Sequence, residues 1–158
     1  MKQKNKLNSN YFLYSIIAVL STGALFILFG YNGWGPPAGN EQAIGEISRW
    51  CERVSSGFFR EPVNTLGNLG FVFTGLFMFY KITQDATSNK SPMFGSFKIA
   101  LLYASASTFL GPGSMAMHGT HTAFGAWLDN VSMISYILIF WLYNFCLLYT
   151  SPSPRDRG

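Results

Sequence analysis

Charged residues are scarce in this sequence, and cysteines and histidines are scarcer still. Only 11% of the 158 residues are Asp, Glu, Lys or Arg, whereas 49% are hydrophobic and 17% aromatic; a soluble domain carries about a quarter charged residues. This shortage argues against a soluble domain. No basic patch interleaved with aromatics indicates a nucleic-acid surface, so no nucleic-acid partner is expected. The two cysteines show no motif spacing and decide nothing about metal or redox chemistry.

Long uncharged runs are what the sequence has instead. Four of them lie near residues 11–29, 62–80, 99–117 and 131–149, and each is close to the roughly 20 residues that a helix needs to cross the hydrocarbon. The predicted fold class is therefore all-α, a polytopic membrane helical bundle. Lysines precede the first run, as in a signal peptide. It is longer than the usual apolar core and no small-x-small cleavage site follows, so it is interpreted as a retained anchor.

The lysines also predict the orientation in the membrane. Positive charge favours the cytoplasmic side, and lysines concentrate in the N-terminal tail and in the loop 81–98, whereas the arginines of segment 30–61 are balanced by glutamates. We expect a multi-pass protein with its N-terminus in the cytoplasm. Segment 30–61 and the turn 118–129 then share the opposite face.

The chain ends abruptly, because an apolar run passes into TSPSPRDRG at residues 150–158. Either this is a short cytoplasmic tail, or it is a non-native run-on behind a truncated sequence, and we expect the second. The domain organisation is then a basic tail at 1–10, an anchor at 11–29, the N-terminal part of a membrane domain at 30–149, and the run-on tail.

A few polar residues interrupt the third run. Ser114 and His118 are four apart and lie on one helical face, just after a bend expected at Pro112. Asp129 is expected at the head of the next helix, where exposed amides favour a carboxylate, and the turn can fold it back toward His118. Ionisable groups at membrane depth are functional by default. His121, in the turn itself, is interpreted as solvated or structural.

A second polar set lies on the same predicted side. Glu61, Asn64 and Asn68 have helical spacing and would form a polar stripe at the start of the second run, with Glu52 shortly before them. Two carboxylates near backbone carbonyls suit a hard cation such as calcium. A solvated loop whose glutamates pair with neighbouring arginines is the alternative.

These pieces together resemble the alkaline ceramidases. The matching patterns are W-C-E at 50–52, E-x-x-N-T-x-x-N at 61–68, G-x-G-S-x-x-x-H at 111–118, and an aspartate eleven residues after the histidine. That family belongs to a superfamily of membrane metal-dependent hydrolases that includes the adiponectin and progestin receptors. The resemblance implies a seven-helix core that hydrolyses the amide of ceramide-like lipids with a catalytic zinc. The first run would be an additional N-terminal helix.

The resemblance also implies roles for single residues. His118 matches a zinc ligand, Asp129 matches the aspartate that hydrogen-bonds the zinc-bound water, and Ser114 matches the serine beside the metal. The family's other zinc histidines form an H-x-x-x-H pair late in its chains, and the sequence holds no such pair. We therefore expect the residues as written to bind zinc weakly at best and to hydrolyse no ceramide.

A calcium site is implied less completely. Trp50 (through its carbonyl), Glu52 and Glu61 match its members, but the family's aspartate before the tryptophan is Arg49 here, and its asparagine two after the first glutamate is Val54.

The leading function predicted is thus a membrane zinc-dependent amidase with a membrane lipid as substrate and calcium as a possible structural ion. A non-catalytic receptor or lipid-binding member of the superfamily is the second interpretation, and a proton-coupled transporter the third. The oligomeric state stays open.

Overall fold

A computed structural model describes residues 10–88 and 95–150, which form an all-helical bundle and confirm the predicted fold class. All but one residue of the predicted basic tail and of the predicted run-on tail, and part of the 81–98 loop, lie outside the described residues. The helices are α1 (Tyr11–Gly30), α2 (Pro62–Gly67), α3 (Leu69–Ser88), α4 (Phe97–Thr120) and α5 (Ala123–Thr150).

Three segments of the described chain are long and apolar enough to cross a membrane: Tyr11–Gly30, Pro62–Ser88 and Ala123–Phe145. The predicted third span lies in α4, which is 24 residues long but is not among them. The reason is its position: α4 packs against both α3 and α5, and more than half of its residues are buried. A helix surrounded by protein can carry small and polar residues where a lipid-facing helix carries large apolar ones.

Glycines allow the helices around α4 to approach closely. A Cβ built on Gly75 of α3 would lie 2.1 Å from Oγ1 of Thr108 and 2.7 Å from its backbone nitrogen, and a Cβ on Gly125 of α5 would lie 2.4 Å from the carbonyl oxygen of Ala116. Small residues at such crossings are the usual means of helix association in membranes. These contacts set the spacing of the elements that carry the polar residues.

The start of α5 differs from the prediction. The helix begins at Ala123, because Thr122 acts as its cap and its Oγ1 accepts a hydrogen bond from the Gly125 amide at 3.0 Å. Asp129 therefore lies in the second turn of α5 and not at its head, so the exposed amides of the helix N-terminus do not stabilise its carboxylate. Pro112 lies inside α4 without ending that helix.

Candidate functional site

The segment between α1 and α2 docks its backbone onto the C-terminal end of α4. The amides of Ala38, Arg60 and Glu61 donate to carbonyl oxygens of the last residues of α4 and its cap, at 2.8, 2.9 and 3.0 Å; the acceptors are, in that order, His121, Gly119 and His118. The last carbonyls of a helix have no partner within the helix. The loop supplies partners, and in doing so it places Glu61 directly against the two histidines.

Glu61 is the centre of the polar cluster. Its Oε2 lies 2.6 Å from Nδ1 of His118, its Oε1 lies 3.1 Å from Nε2 of His121, and Asn64 Nδ2 donates to Oε2 at 2.9 Å. Glu61 and His121 are fully buried, and His118 is nearly so. An ionised carboxylate only accepts hydrogen bonds, so both ring nitrogens that face it carry hydrogens. One buried carboxylate bridges both histidines of the chain.

The carboxylate is ionised because its hydrogen bonds outweigh its burial. Burial alone would raise the pKa of Glu61, but hydrogen bonds from Ser48, Asn64 and His118 lower it below the ordinary value of 4.5. Glu61 is thus an acceptor for its neighbours at neutral pH. The predicted polar stripe is also present, since Asn68 Nδ2 donates to the carbonyl oxygen of Asn64 at 2.9 Å.

His121 is the residue whose place in the site was not foreseen. It is the C-cap of α4, in the left-handed conformation (φ 49°, ψ 34°), with its amide donating to the carbonyl of Met117 at 2.8 Å. Its complete burial excludes a solvated side chain. The signal available in the sequence was the spacing: two histidines three residues apart at the end of a helical run can face one partner.

The 47–53 turn brings Trp50 and Glu52 to the cluster. It is closed by an antiparallel bridge between Ile47 and Arg53. The Trp50 ring packs edge-on against His118, with ring centroids 4.8 Å apart, and reaches His121 at 6.4 Å. Glu52 caps α2, because its two oxygens accept the amides of residues 63 and 64 at 2.8 Å each. Both residues therefore contact the elements that carry the polar cluster.

This arrangement does not by itself make a calcium site. Both oxygens of Glu52 and both of Glu61 already accept hydrogen bonds from protein donors. The carbonyl of Trp50 lies 3.4 Å from Nδ2 of Asn64. The two positions that depart from the family pattern have other roles: Arg49 pairs with a glutamate at 2.8 Å, and Val54 is buried. Calcium binding stays a prediction.

Ser114 lies on α4, as His118 does, and Asp129 lies on α5, and no hydrogen bond joins either side chain to His118 among the residues described. Ser114 is buried in α4. Asp129 Oδ1 is buried without a hydrogen-bond partner, while its backbone carbonyl accepts from Ser132 Oγ at 2.8 Å. A buried carboxylate oxygen without a partner is costly and calls for an explanation such as a bound water or ion. The roles predicted for both residues stay predictions.

The fit to zinc is partial. A metal-binding histidine usually donates its second ring N–H to a carboxylate, and His118 does this through Nδ1 to Glu61, which leaves Nε2 for a metal. A catalytic zinc needs three protein ligands. Within the described part of the chain, no group of three or more His, Cys, Asp or Glu side chains is arranged to hold a metal. The residues present fit a single ligand and not the whole shell.

A large cleft among the described residues lies elsewhere. It has a volume of about 660 Å³, is lined almost entirely by apolar side chains, and lies between α1, α3, α4 and α5. Ala116 and Thr120 line it from α4. His118, two residues from each, faces the other way, because two residues are more than half a turn of helix. The cleft is suited to hydrocarbon, but it is separate from the polar cluster.

Comparison with known families gives one clear match. A family model described as Ceramidase matches residues 47–155, more than half of the chain. The matched region begins with the turn that carries Trp50 and includes α2 to α5, whereas α1 precedes it. No curated protein and no solved structure matches the chain.

Proposed function

Because the chain belongs to the ceramidase family, we propose that it is a membrane-embedded amidase that hydrolyses ceramide-like lipids to a sphingoid base and a fatty acid, with zinc as its cofactor. Family membership supports a hydrolase that acts on amide bonds and a lipid substrate. The observation that supports a specific site for this activity is the buried pair of Glu61 and His118 at the end of α4, in which Oε2 and Nδ1 are 2.6 Å apart.

His118 has the properties of a metal ligand in this proposal. Its Nδ1–H is held by Glu61, which fixes the tautomer in which Nε2 carries a lone pair. Trp50 packs on the ring and limits the orientations that it can adopt. When bound, zinc supplies a nucleophile at neutral pH, since it lowers the pKa of its water to about 7. The described residues supply His118 to that metal.

Asp129 and Ser114 have complementary roles. Asp129 is proposed to orient the attacking water, accept its proton and pass it to the leaving amine, and the buried, unpartnered Oδ1 is the atom available for this. Ser114 is proposed to stabilise the oxyanion that forms on the amide carbonyl. Ser114 lies on α4, as His118 does, and Asp129 lies on the adjacent helix α5. Each role therefore requires only that the side chain approach the surroundings of His118.

The membrane setting suits a substrate with long acyl chains. Three helical segments of the described chain are apolar enough to cross a bilayer, and their exposed side chains are large and apolar. A lipid can therefore approach laterally from the bilayer. We propose that the N-terminus is cytoplasmic and that the polar cluster lies near the opposite face, since positive charge concentrates in the tail and in the loop after α3.

The test is fatty-acid release by the purified full-length protein in mixed micelles. Ceramide should be cleaved, and diacylglycerol, which presents ester bonds on similar chains, is the matched control substrate. Loss of cleavage after removal of zinc by a chelator, restored by added zinc, is expected. Saturable ceramide binding without any fatty-acid release would contradict the amidase and favour a lipid-binding receptor.

A further inference from the structure

We infer that His121 is a positioning residue: its Nε2–H holds Oε1 of Glu61, so that the other oxygen of this carboxylate takes the Nδ1–H of His118 and leaves Nε2 of His118 free. The two contacts are 3.1 Å and 2.6 Å long. That the free Nε2 of His118 serves as a metal ligand rests on the proposed function, whereas the hydrogen bonds from His121 and His118 to Glu61 do not. The family resemblance gives His121 no metal-binding role.

The conformation of His121 shows that its side chain is not there to end the helix. Ending α4 requires a residue in the left-handed region whose amide bonds to Met117, and glycine or asparagine does this at the lowest cost. Any side chain with a Cβ is disfavoured at φ 49°. A histidine held in a strained conformation at full burial indicates a side chain that is needed for its contacts.

The contacts of His121 restrict the orientation of the Glu61 carboxylate. Glu61 has rotatable bonds up to its carboxylate, and a neutral imidazole can carry its hydrogen on either ring nitrogen. Asn64 shares Oε2 with His118, so the bond from His121 is the histidine contact to Oε1. With both oxygens held, the carboxylate cannot turn away from His118, and because it only accepts hydrogen bonds, the ring that faces it must donate from Nδ1. The orientation of the ring and its tautomer are thereby set together.

The experiment is ¹⁵N NMR of the chain labelled at histidine, in detergent at about pH 8, above the ordinary titration range of histidine. The sequence holds only two histidines, so the spectrum of His121→Gln assigns both rings. The wild type should show His118 with a pyrrole-type Nδ1 and a pyridine-type Nε2, and His121 with a pyrrole-type Nε2. His121→Leu, which has no donor, should shift His118 toward the opposite tautomer. His121→Gln, whose amide can donate, should preserve the wild-type pattern.

Several results would overturn the inference. A wild-type spectrum with the hydrogen of His121 on Nδ1 would do so without any variant, which matters if His121→Leu fails to fold. An unchanged His118 tautomer in His121→Leu would also overturn it, and so would equal changes in His121→Leu and His121→Gln, since that pattern indicates only a packing role. If the spectra are as expected but the full-length protein releases no fatty acid from ceramide, the proposed function is contradicted and the hydrogen-bond chain is not.

Discussion

The contact between Gly75 and Thr108 sets the distance between α3 and α4, and Gly75→Ala perturbs it. The added Cβ would lie 2.1 Å from Oγ1 of Thr108, 2.7 Å from its backbone nitrogen and 2.8 Å from its Cα. A side chain could move away, but a helix backbone cannot do so locally, so the two helices must separate. Overpacking of this kind costs about 1–3 kcal/mol, offset by up to about 1 kcal/mol because alanine is the better helix former.

A control within the same helix separates these two effects. A Cβ on Gly70 would meet nothing within 4 Å, so Gly70→Ala should be neutral or stabilising by up to about 1 kcal/mol. Because the helix propensity gain is similar in both variants, the difference between their unfolding free energies measures the packing cost directly, and it should be about 1–3 kcal/mol.

The assay is reversible denaturant unfolding in detergent, followed by circular dichroism. Adding Thr108→Ala to Gly75→Ala should recover only part of the loss, since the backbone contacts at 2.7 and 2.8 Å remain. Equal stabilities for Gly75→Ala and Gly70→Ala would refute the close packing of α3 on α4.

Three further predictions concern the cluster and the topology. Glu61→Gln should lower the free energy of unfolding by about 1–3 kcal/mol near pH 7, because it leaves buried donors without an acceptor. Since folding lowers the pKa of Glu61 below 4.5, its ionised form stabilises the fold above that pH. The difference from wild type should therefore shrink as the pH falls through the folded pKa, which unfolding titrations at several pH values would show. Reporter fusions at Asn40 and Asn89 should report opposite sides of the membrane, and a shared side would refute the topology. A calcium ion bound as the family pattern implies would lie against the Glu61 carboxylate, to which both histidines donate, so a calcium titration should change the histidine ¹⁵N signals; unchanged signals and an unchanged melting temperature would remove the site.

The fold could be predicted from composition because a membrane leaves few options: an apolar run of sufficient length becomes a helix. The sequence predicts a start for α5 that is several residues too far along the chain. Phe124 and Trp127 follow a threonine-rich turn, and this turn was expected to continue to Asp129. The cap at Thr122 is a recognisable signal. Its position seven residues before Asp129 shows that the aspartate is inside the helix.

The pairing of Glu61 with His118 could not be predicted in the same way. The two residues are 57 positions apart, and their approach depends on loop amides that dock onto the end of α4. Sequence patterns place residues on faces of local elements, and they do not show which loop caps which helix. The left-handed conformation of His121 was equally hidden, because only a few per cent of non-glycine residues have a positive φ, and the enrichment of histidine among them does not single out one position.

The central claim is that the residues at the end of α4 and in α5 carry out amide hydrolysis, and fatty-acid release from ceramide by three forms of the full-length protein tests it most directly. The wild type should release fatty acid. His118→Ala should lose zinc and turnover together, since a ligand is removed, and Asp129→Asn should keep its zinc but lose most turnover, because an amide can still hydrogen-bond but cannot accept the proton. Wild-type rates in His118→Ala, or in Asp129→Asn, would contradict the account.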